Sequence, residues 1–265
     1  MPSKITAPML REMKRKGEKI SMITAYDAAF ARLADEAGVD AILVGDSLGN
    51  VMLGYHTTLP VSMEAMVHHT RAVASSPRRA LIISDMPFGS YQASPEDAVR
   101  AAVELVKAGA EVVKLEGPYH EAIRAITRAG IPVFGHVGMT PQSVNLFGGH
   151  KVQGRNGRGQ PVIEAAKTVD EAGAIGMVLE LVPRALACEI TRSVGCATIG
   201  IGAGPECDGQ VLVMHDMLGL GEGDFKHSKF YAKLGEQVVA AFKQYSDEVK
   251  SGAFPDAEHS FEDRP

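Results

Sequence analysis

Eight short apolar runs rich in Ile and Val recur along this chain, and segments with helical periodicity separate them. The runs are apolar throughout rather than at alternate positions, which indicates strands buried on both faces, as in a parallel sheet covered by helices. The predicted strands are Ile20–Ala25, Ala41–Gly45, Ala80–Asp85, Val112–Glu116, Ile131–Val137, Ala174–Leu181, Ala197–Gly202 and Gln210–His215. Eight strands alternating with helices predict an α/β fold, the (β/α)8 TIM barrel, with a doubly wound open sheet as the alternative.

The segments between the strands carry helix signals, such as Ser94 as N-cap before Pro95. No helix fits between the last two strands, because only Ala203–Gly209 separates them. No linker rich in Pro, Gly or Ser divides the 265 residues, so we expect a single barrel domain over residues 1–265, with an extra N-terminal segment and a C-terminal helix and tail. The predicted helices are Ala28–Ala37, Ser62–Ala74, Pro95–Ala108, Tyr119–Arg128, Pro161–Ala172, Pro183–Ser193 and Lys229–Val249.

The amino-acid composition limits the kinds of molecule that this protein is expected to bind. With 27 Lys and Arg against 32 Asp and Glu, the net charge of −5 argues against a nucleic-acid partner. The first residues show no apolar signal-peptide core, and the apolar runs are too short to span a membrane. Cys188, Cys196 and Cys207 have no CxxC spacing, which is typical of reduced thiols. We therefore expect a cytoplasmic protein that acts on small molecules, without a membrane partner.

Acidic residues follow several predicted strands at the end where barrel enzymes place their active sites. Asp46 and Ser47 follow the second strand, Asp85 ends the third and Glu116 ends the fourth. Carboxylates that converge on one mouth repel each other, so the cluster needs a cation, and oxygen ligands suit Mg²⁺, Mn²⁺ or Ca²⁺ rather than Zn²⁺. The alternative is that each acid only forms a turn or caps the next helix.

Three further polar residues lie on the predicted strands. Lys114 shares a side of its strand with Glu116, so it either binds a substrate carboxylate or neutralises the acids. Glu180 stands in an apolar run, where an acid is costly unless it is paired or functional, so it is a candidate general base. His136 either lines the site or is an ordinary core histidine. The glycine-rich segment Gly138–Gly159 predicts a loop or lid over the mouth.

Long sequence stretches identify a known family. The chain is similar to the ketopantoate hydroxymethyltransferases (3-methyl-2-oxobutanoate hydroxymethyltransferases) from about Ile20 to Phe261. The stretches that carry the resemblance are ITAYDAAFA, ILVGDSLGNVMLGYHTTLPV, SDMPFGSY, VVKLEG, GHVGMTPQSVNLFGGHKVQGR, VLELVP and IGIGAGPECDGQVLVMHDMLG.

The resemblance implies an activity and an assembly. It implies a barrel enzyme of pantothenate (coenzyme A) biosynthesis, a homodecamer of two pentameric rings, or pentamer of dimers. The reaction it implies is hydroxymethyl transfer from 5,10-methylenetetrahydrofolate to 3-methyl-2-oxobutanoate, giving 2-dehydropantoate and tetrahydrofolate. It also implies one Mg²⁺ per subunit. In the mechanism we expect, an enolate of the keto acid attacks the methylene carbon of the folate-derived iminium.

The resemblance also implies residue roles. Asp46 and Asp85 would bind the metal, with Glu116 bound more loosely or through water. Asp46, Ser47, Asp85 and Lys114 would contact the keto acid, and Lys114 with the Ser47 backbone would hold its carboxylate. Glu180 would be the proton acceptor that removes the C3 proton.

Two other functions stay open at this stage. The first is a folate-independent 2-oxo acid lyase like phosphoenolpyruvate mutase and isocitrate lyase, which share the fold and an acidic Mg²⁺ mouth. Folate dependence of turnover separates it from the transferase. The second is a barrel that serves as a scaffold or ligand-binding protein without catalysis. An absence of Mg²⁺ binding would favour this second function.

Overall fold

Eight parallel strands close into a barrel in the computed structural model of the chain, which describes residues 3–221 and 226–263. Each strand pairs with the next one along the chain, and the first pairs with the eighth through Met22 and Val211. The (β/α)8 prediction is therefore confirmed, and the open-sheet alternative is excluded. The strands are β1 Ile20–Thr24, β2 Ala41–Val44, β3 Leu81–Asp85, β4 Val112–Lys114, β5 Val133–Gly138, β6 Gly176–Glu180, β7 Ala197–Ile201 and β8 Gly209–Leu212.

Every helix predicted from the sequence is present, with small differences at the ends. The helix Pro95–Ala108 has the predicted bounds. It begins after Ser94, whose side chain accepts a hydrogen bond from Asp97 N, and it ends before Gly109, which adopts a left-handed conformation. Four of the helices in the described residues were not predicted, and three of these have only four or five residues. In chain order the helices are α1 Ala7–Lys16, α2 Ala28–Glu36, α3 Leu48–Val51, α4 Met63–Ala74, α5 Pro95–Ala108, α6 His120–Arg128, α7 Val144–Phe147, α8 Gln160–Glu171, α9 Arg184–Ser193, α10 Met214–Leu218 and α11 Leu234–Ser251.

The chain divides into two compact units, Met1–Met214 and His215–Pro265. The first unit holds the barrel. In the second, α11 has no buried residue, and residues 253–263 form neither helix nor strand. The last two residues of the predicted tail lie outside the described residues. The expectation of one domain over residues 1–265 stays a prediction. No helix in the described part of the chain is long and apolar enough to cross a membrane.

The N-terminal segment covers the amino-terminal end of the barrel, which the sequence did not predict. Leu10 of α1 is fully buried in the core cluster with Phe134 and Ile199 from the strands. Arg11 donates to Ala174 O, just before β6, at 2.7 Å. Lys14 pairs with Asp208, just before β8, at 2.9 Å. Because α1 occupies this end of the barrel, the carboxyl end is the one open to ligands.

The last strand ends earlier than predicted. Its prediction ran to His215, but β8 ends at Leu212 and His215 lies in α10. The backbone N–H of Met214 donates to the side chain of Thr24 at 2.9 Å instead of to a neighbouring strand, so the sheet ladder stops there. The prediction that no helix connects β7 to β8 is confirmed, since residues 202–208 are all described and contain no helix.

The cysteines are free, as the sequence indicated. Cys196 and Cys207 are buried. Burial raises the pKa of both thiols, to about 11 for Cys207, so neither is a reactive thiolate at neutral pH. Their contribution is to packing.

If α1 seals the barrel, Leu10→Ala should destabilise the protein. Truncation of a fully buried Leu costs about 2–5 kcal/mol in free energy of unfolding, through lost burial and the cavity that remains. The matched control is Leu33→Ala on α2, whose side chain is half exposed and should cost far less. Urea unfolding followed by circular dichroism measures both. Equal losses in the two variants would show that α1 does not stabilise the barrel.

Candidate active site

The strands β2, β3 and β4 bring three carboxylates and one lysine together at the open end of the barrel. Asp46, Asp85, Lys114 and Glu116 are each at most 4% exposed. Asp85 and Lys114 are direct neighbours in the β3–β4 register. Lys114 Nζ donates to Asp85 Oδ1 at 2.7 Å, and Asp46 N donates to Asp85 Oδ2 at 3.0 Å. Both oxygens of Asp85 are therefore held by protein donors.

The charges in this cluster are unbalanced. Burial, together with the negative charges of Asp85 and Glu116, raises the pKa of Asp46 well above its ordinary value. Burial alone would lower the pKa of Lys114, but the surrounding carboxylates, Asp85 foremost, outweigh it and raise that pKa. Lys114 is therefore a cation, and the surroundings of Asp46 oppose the ionisation of its carboxyl group.

A hydrogen-bond network from two residues that sequence analysis did not select orients the carboxylates. Gln142 Nε2 donates to Asp46 Oδ2 at 2.8 Å and to Met86 O at 3.0 Å. The backbone N–H of Gln142 donates to Glu116 Oε2 at 2.8 Å. The hydroxyl of Tyr91 donates to Gln142 Oε1 at 2.6 Å and accepts from Glu116 N at 3.1 Å. Both Gln142 and Tyr91 are buried.

His136 lies between the cluster and Glu180. Its Nδ1 is 3.4 Å from Glu116 Oε1 and its Nε2 is 3.4 Å from Glu180 Oε2. These distances are long for hydrogen bonds, and neither ring nitrogen has a hydrogen-bond partner among the described residues. Burial alone would lower the pKa of His136, but the charge of Glu116 outweighs it and raises the pKa to about 9. His136 is therefore a second cation at neutral pH and lines the site.

The backbone around Glu180 is held in an uncommon conformation. Leu181, directly after β6, has a φ of 45°, a left-handed conformation that costs a residue with a side chain roughly 1–3 kcal/mol. Its N–H donates to Ile201 O and its carbonyl accepts from Gln153 N, both at 2.9 Å. A Cβ on Gly138 would lie 2.3 Å from Glu180 O, so only glycine permits this approach of β5 to β6. Such strain concentrates at functional sites.

Ser47 lies at the edge of the cluster. It directly follows Asp46 at the start of α3 and is partly exposed. Its Oγ is 2.9 Å from the hydroxyl of the buried Tyr26. The side chain is therefore held against the barrel.

The donor chemistry of the cluster fits a hard divalent cation. Four carboxylates, at Asp46, Asp85, Glu116 and Glu180, face the two cations Lys114 and His136. Asp46 Oδ1 accepts no hydrogen bond from the described residues. Carboxylate oxygens are the ligands that Mg²⁺ prefers. The side chains do not form a ready-made cage, because no group of three or more His, Cys, Asp or Glu in residues 3–221 and 226–263 has that arrangement.

An apolar cleft adjoins the cluster. It has a volume of about 470 Å³ and is lined by residues of the β4, β5 and α8 regions. Gly117 directly follows Glu116, and Val137 directly follows His136, so the cleft begins beside two residues of the site. Its apolar walls include Tyr119, Phe147 and Val162.

The structure brings all the candidate residues from the sequence into one mouth: Asp46, Ser47, Asp85, Lys114, Glu116, His136 and Glu180. Lys114 contacts Asp85, and the lone His136 faces the site. The roles of these residues stay predictions. Gln142 and Tyr91 were missed because the sequence reasoning considered titratable groups at strand ends, whereas these two lie in loops. Both fall inside the family-like stretches GHVGMTPQSVNLFGGHKVQGR and SDMPFGSY, which was the only available signal.

Comparison with known proteins adds relatives over nearly the whole chain. The model of a family described as "Ketopantoate hydroxymethyltransferase" matches residues 4–257. A 3-methyl-2-oxobutanoate hydroxymethyltransferase from Syntrophus aciditrophicus (strain SB) is 55% identical, with 97% of each chain covered. The enzyme of the same name from Moorella thermoacetica is 53% identical, with 98% of each chain covered.

Solved structures resemble the fold at low sequence identity. A phosphonopyruvate hydrolase in complex with oxalate and Mg²⁺ superposes with a TM-score of 0.63 at 14% identity, over 96% of this chain and 93% of the other. A 2,3-dimethylmalate lyase, a member of the PEP mutase/isocitrate lyase superfamily, gives a TM-score of 0.60 at 17% identity, over 98% and 93%. At such identities these likenesses support the barrel fold only.

Because the metal-free site opposes ionisation of Asp46, Asp46→Asn should stabilise the protein in the presence of a chelator. Its raised pKa means that the wild type loses stability as the pH rises through that pKa, whereas the neutral amide does not. We expect a gain of about 0.5–2 kcal/mol at about pH 8, and a smaller gain at about pH 5. Urea unfolding in EDTA measures it. Exposed Asp247→Asn is the control, and destabilisation by Asp46→Asn at about pH 8 would contradict the prediction.

Proposed function

The chain belongs to the ketopantoate hydroxymethyltransferase family, and we propose that the acidic mouth of its barrel transfers a hydroxymethyl group to 3-methyl-2-oxobutanoate with the help of a divalent cation. The one-carbon donor we propose is 5,10-methylenetetrahydrofolate. A new bond joins C3 of the keto acid to the transferred carbon, and the C3 proton is lost. Both bonds from that carbon to the folate nitrogens break, and the nitrogens take up one proton each, which the C3 proton and water balance. Water supplies the hydroxyl oxygen. The products are 2-dehydropantoate and tetrahydrofolate.

The observation that carries the proposal is the buried excess of carboxylates over cations at the carboxyl ends of β2 to β4. Asp46 and Asp85 would hold one Mg²⁺ per subunit, with Glu116 bound more loosely or through water. Asp85 would have to share its oxygens between the ion and Lys114. When bound, the ion polarises the 2-oxo group and makes the C3 proton more acidic.

Lys114 and Ser47 are placed to hold the substrate carboxylate. The ammonium group of Lys114 has three N–H donors, and the described residues accept a hydrogen bond from one of them, at Asp85. The backbone of Ser47 adjoins Asp46 at the mouth of the barrel. Binding of the carboxylate by these groups would point C3 away from β2 and towards the β5–β6 side.

Glu180 is the proposed base for the C3 proton. Its side chain is 17% exposed, compared with 3% for Glu116, so it is the carboxylate of the site with the best access to substrate and to solvent. Oε2 is the atom that faces His136. The left-handed Leu181 fixes the direction of the strand end that carries Glu180.

The cleft beside the cluster supports the folate donor. A co-substrate with fused rings needs an apolar space that reaches the reacting atoms. The walls formed by Tyr119, Phe147 and Val162 provide such a surface.

We further propose that the enzyme works in the cytoplasm as a homodecamer. Both properties come from the family resemblance. Exposed apolar side chains on α11, including Val239 and Phe242, are consistent with contacts between subunits. Light scattering of the purified protein measures the number of subunits directly.

The first test is product formation with and without a chelator. With 3-methyl-2-oxobutanoate, 5,10-methylenetetrahydrofolate and Mg²⁺, we expect 2-dehydropantoate by mass spectrometry, and loss of turnover in EDTA that excess Mg²⁺ restores. Turnover that persists after exhaustive chelation would remove the metal from the proposal. Folate-free cleavage of a 2-oxo acid adduct, without hydroxymethyl transfer, would favour the lyase alternative.

Glu180→Gln should remove proton abstraction while leaving binding in place. The expected decrease in kcat is about 10²–10⁴-fold, the usual contribution of a general base. A second readout is exchange of the C3 proton of the keto acid for deuterium without folate, which should disappear in the variant. Glu164→Gln on the exposed side of α8 is the matched control. Wild-type exchange in Glu180→Gln would assign the base to another group.

A further inference from the structure

Gln142 donates hydrogen bonds to two of the carboxylates, although it lies on none of the strands that carry them. It sits in the short 3-10 turn Pro141–Ser143 after β5. Its side chain reaches Asp46, which follows β2, and its backbone N–H reaches Glu116, which follows β4. One residue therefore fixes one oxygen of each of two carboxylates that come from different parts of the chain.

The side-chain amide of Gln142 has no capacity left for substrate. Its two N–H donors are used by Asp46 Oδ2 and Met86 O. Its oxygen accepts from Tyr91 at 2.6 Å and from Gln92 at 3.2 Å. Gln142 is also buried. It can influence a ligand only through the groups it holds, which makes it a positioning residue rather than a catalytic one.

Tyr91, together with Gln92 and Met86, holds the amide of Gln142 in one direction. The hydroxyl of Tyr91 accepts a hydrogen bond from Glu116 N at 3.1 Å, and of the two acceptors within reach of its own proton, Gln142 Oε1 at 2.6 Å is closer than Glu116 O at 3.2 Å. A hydroxyl that donates to Gln142 needs an oxygen there, which places the NH₂ group towards Asp46. A reversed amide would put two acceptors, Gln142 Oε1 and Asp46 Oδ2, against each other.

We propose that Gln142, oriented by Tyr91, sets the affinity of the site for its divalent cation by fixing Asp46 with Oδ2 occupied and Oδ1 available. This inference rests on the proposed function, because it assumes that Asp46 is a metal ligand. Hydrogen-bond partners of metal ligands typically change metal affinity by about 10–100-fold when they are removed.

The test uses Mn²⁺ alone as the probe and the full-length protein. Gln142→Met keeps the length of the side chain and the backbone N–H to Glu116 but removes the amide. We expect its dissociation constant for Mn²⁺, measured by electron paramagnetic resonance, to rise about 10–100-fold. Its activity should recover towards the wild-type kcat at saturating Mg²⁺, because the substrate-binding and proton-accepting groups are intact.

Tyr91→Phe tests whether the orientation of the Gln142 amide affects Mn²⁺ binding. It should weaken Mn²⁺ binding in the same direction, because it removes the shortest of the hydrogen bonds that keep the amide from reversing. In the Gln142→Met background it should add little, because Tyr91 then has no amide to orient. Gln160→Met and Tyr245→Phe are matched controls at exposed positions, and both should bind Mn²⁺ like the wild type. Circular dichroism melting confirms that each variant is folded.

The outcomes separate this inference from the proposed function. If the wild type itself does not bind Mn²⁺, the proposed function fails. If the wild type binds and Gln142→Met binds equally well, or if the two substitutions weaken binding additively, the positioning role is overturned. A folded Gln142→Met that keeps wild-type Mn²⁺ affinity but has a low kcat would also overturn it, because the effect would not act through the metal.

Discussion

The mutual repulsion of buried carboxylates is the constraint around which this molecule is organised. Asp46, Asp85 and Glu116 are almost inaccessible to solvent, and the two neighbouring cations, Lys114 and His136, cannot balance the charge of these carboxylates and of Glu180. Burying unbalanced charge is costly unless hydrogen bonds and a counter-ion compensate. Two hydrogen-bond donors partly compensate for this buried negative charge: the side chain of Gln142, which binds Asp46, and the backbone N–H of Asp46, which binds Asp85. The negative charge that remains unbalanced creates the affinity for a cation.

The rest of the barrel makes this concentration of charge possible. The parallel sheet places consecutive strand ends side by side, so residues far apart in the chain become neighbours at one edge. The apolar barrel interior and α1 close the opposite end, where Leu10 is fully buried. Water therefore has access from one side, and the hydrophobic core compensates for the cost of the acidic mouth.

The sequence was sufficient for the strands and the charged residues, because both leave a local signal. Continuous apolar runs predicted all eight strands, and acids at strand ends predicted the site. The N-terminal helix was missed because its apolar face packs against the amino-terminal end of the barrel. That surface is formed by all the strands together, so no local sequence pattern indicates it. Gln142 and Tyr91 were missed because a neutral amide and a phenol in loops acquire meaning only through partners distant in the chain, at Asp46 and Glu116. The left-handed Leu181 was not predictable either, since a leucine gives no indication of positive φ.

The mouth is divided into two halves with different requirements, and His136 lies at their border. The half from β2 to β4 must stay dry, because exclusion of water strengthens the attraction between carboxylates and a cation. The half from β5 to β6 must stay accessible, because a base that takes a proton has to return it to solvent. Glu180 is accordingly more exposed than Glu116. The charged imidazole of His136 lies 3.4 Å from each of these carboxylates, so it separates two negative groups that would otherwise repel. It thus allows a cation-binding half and a proton-transfer half to share one barrel mouth.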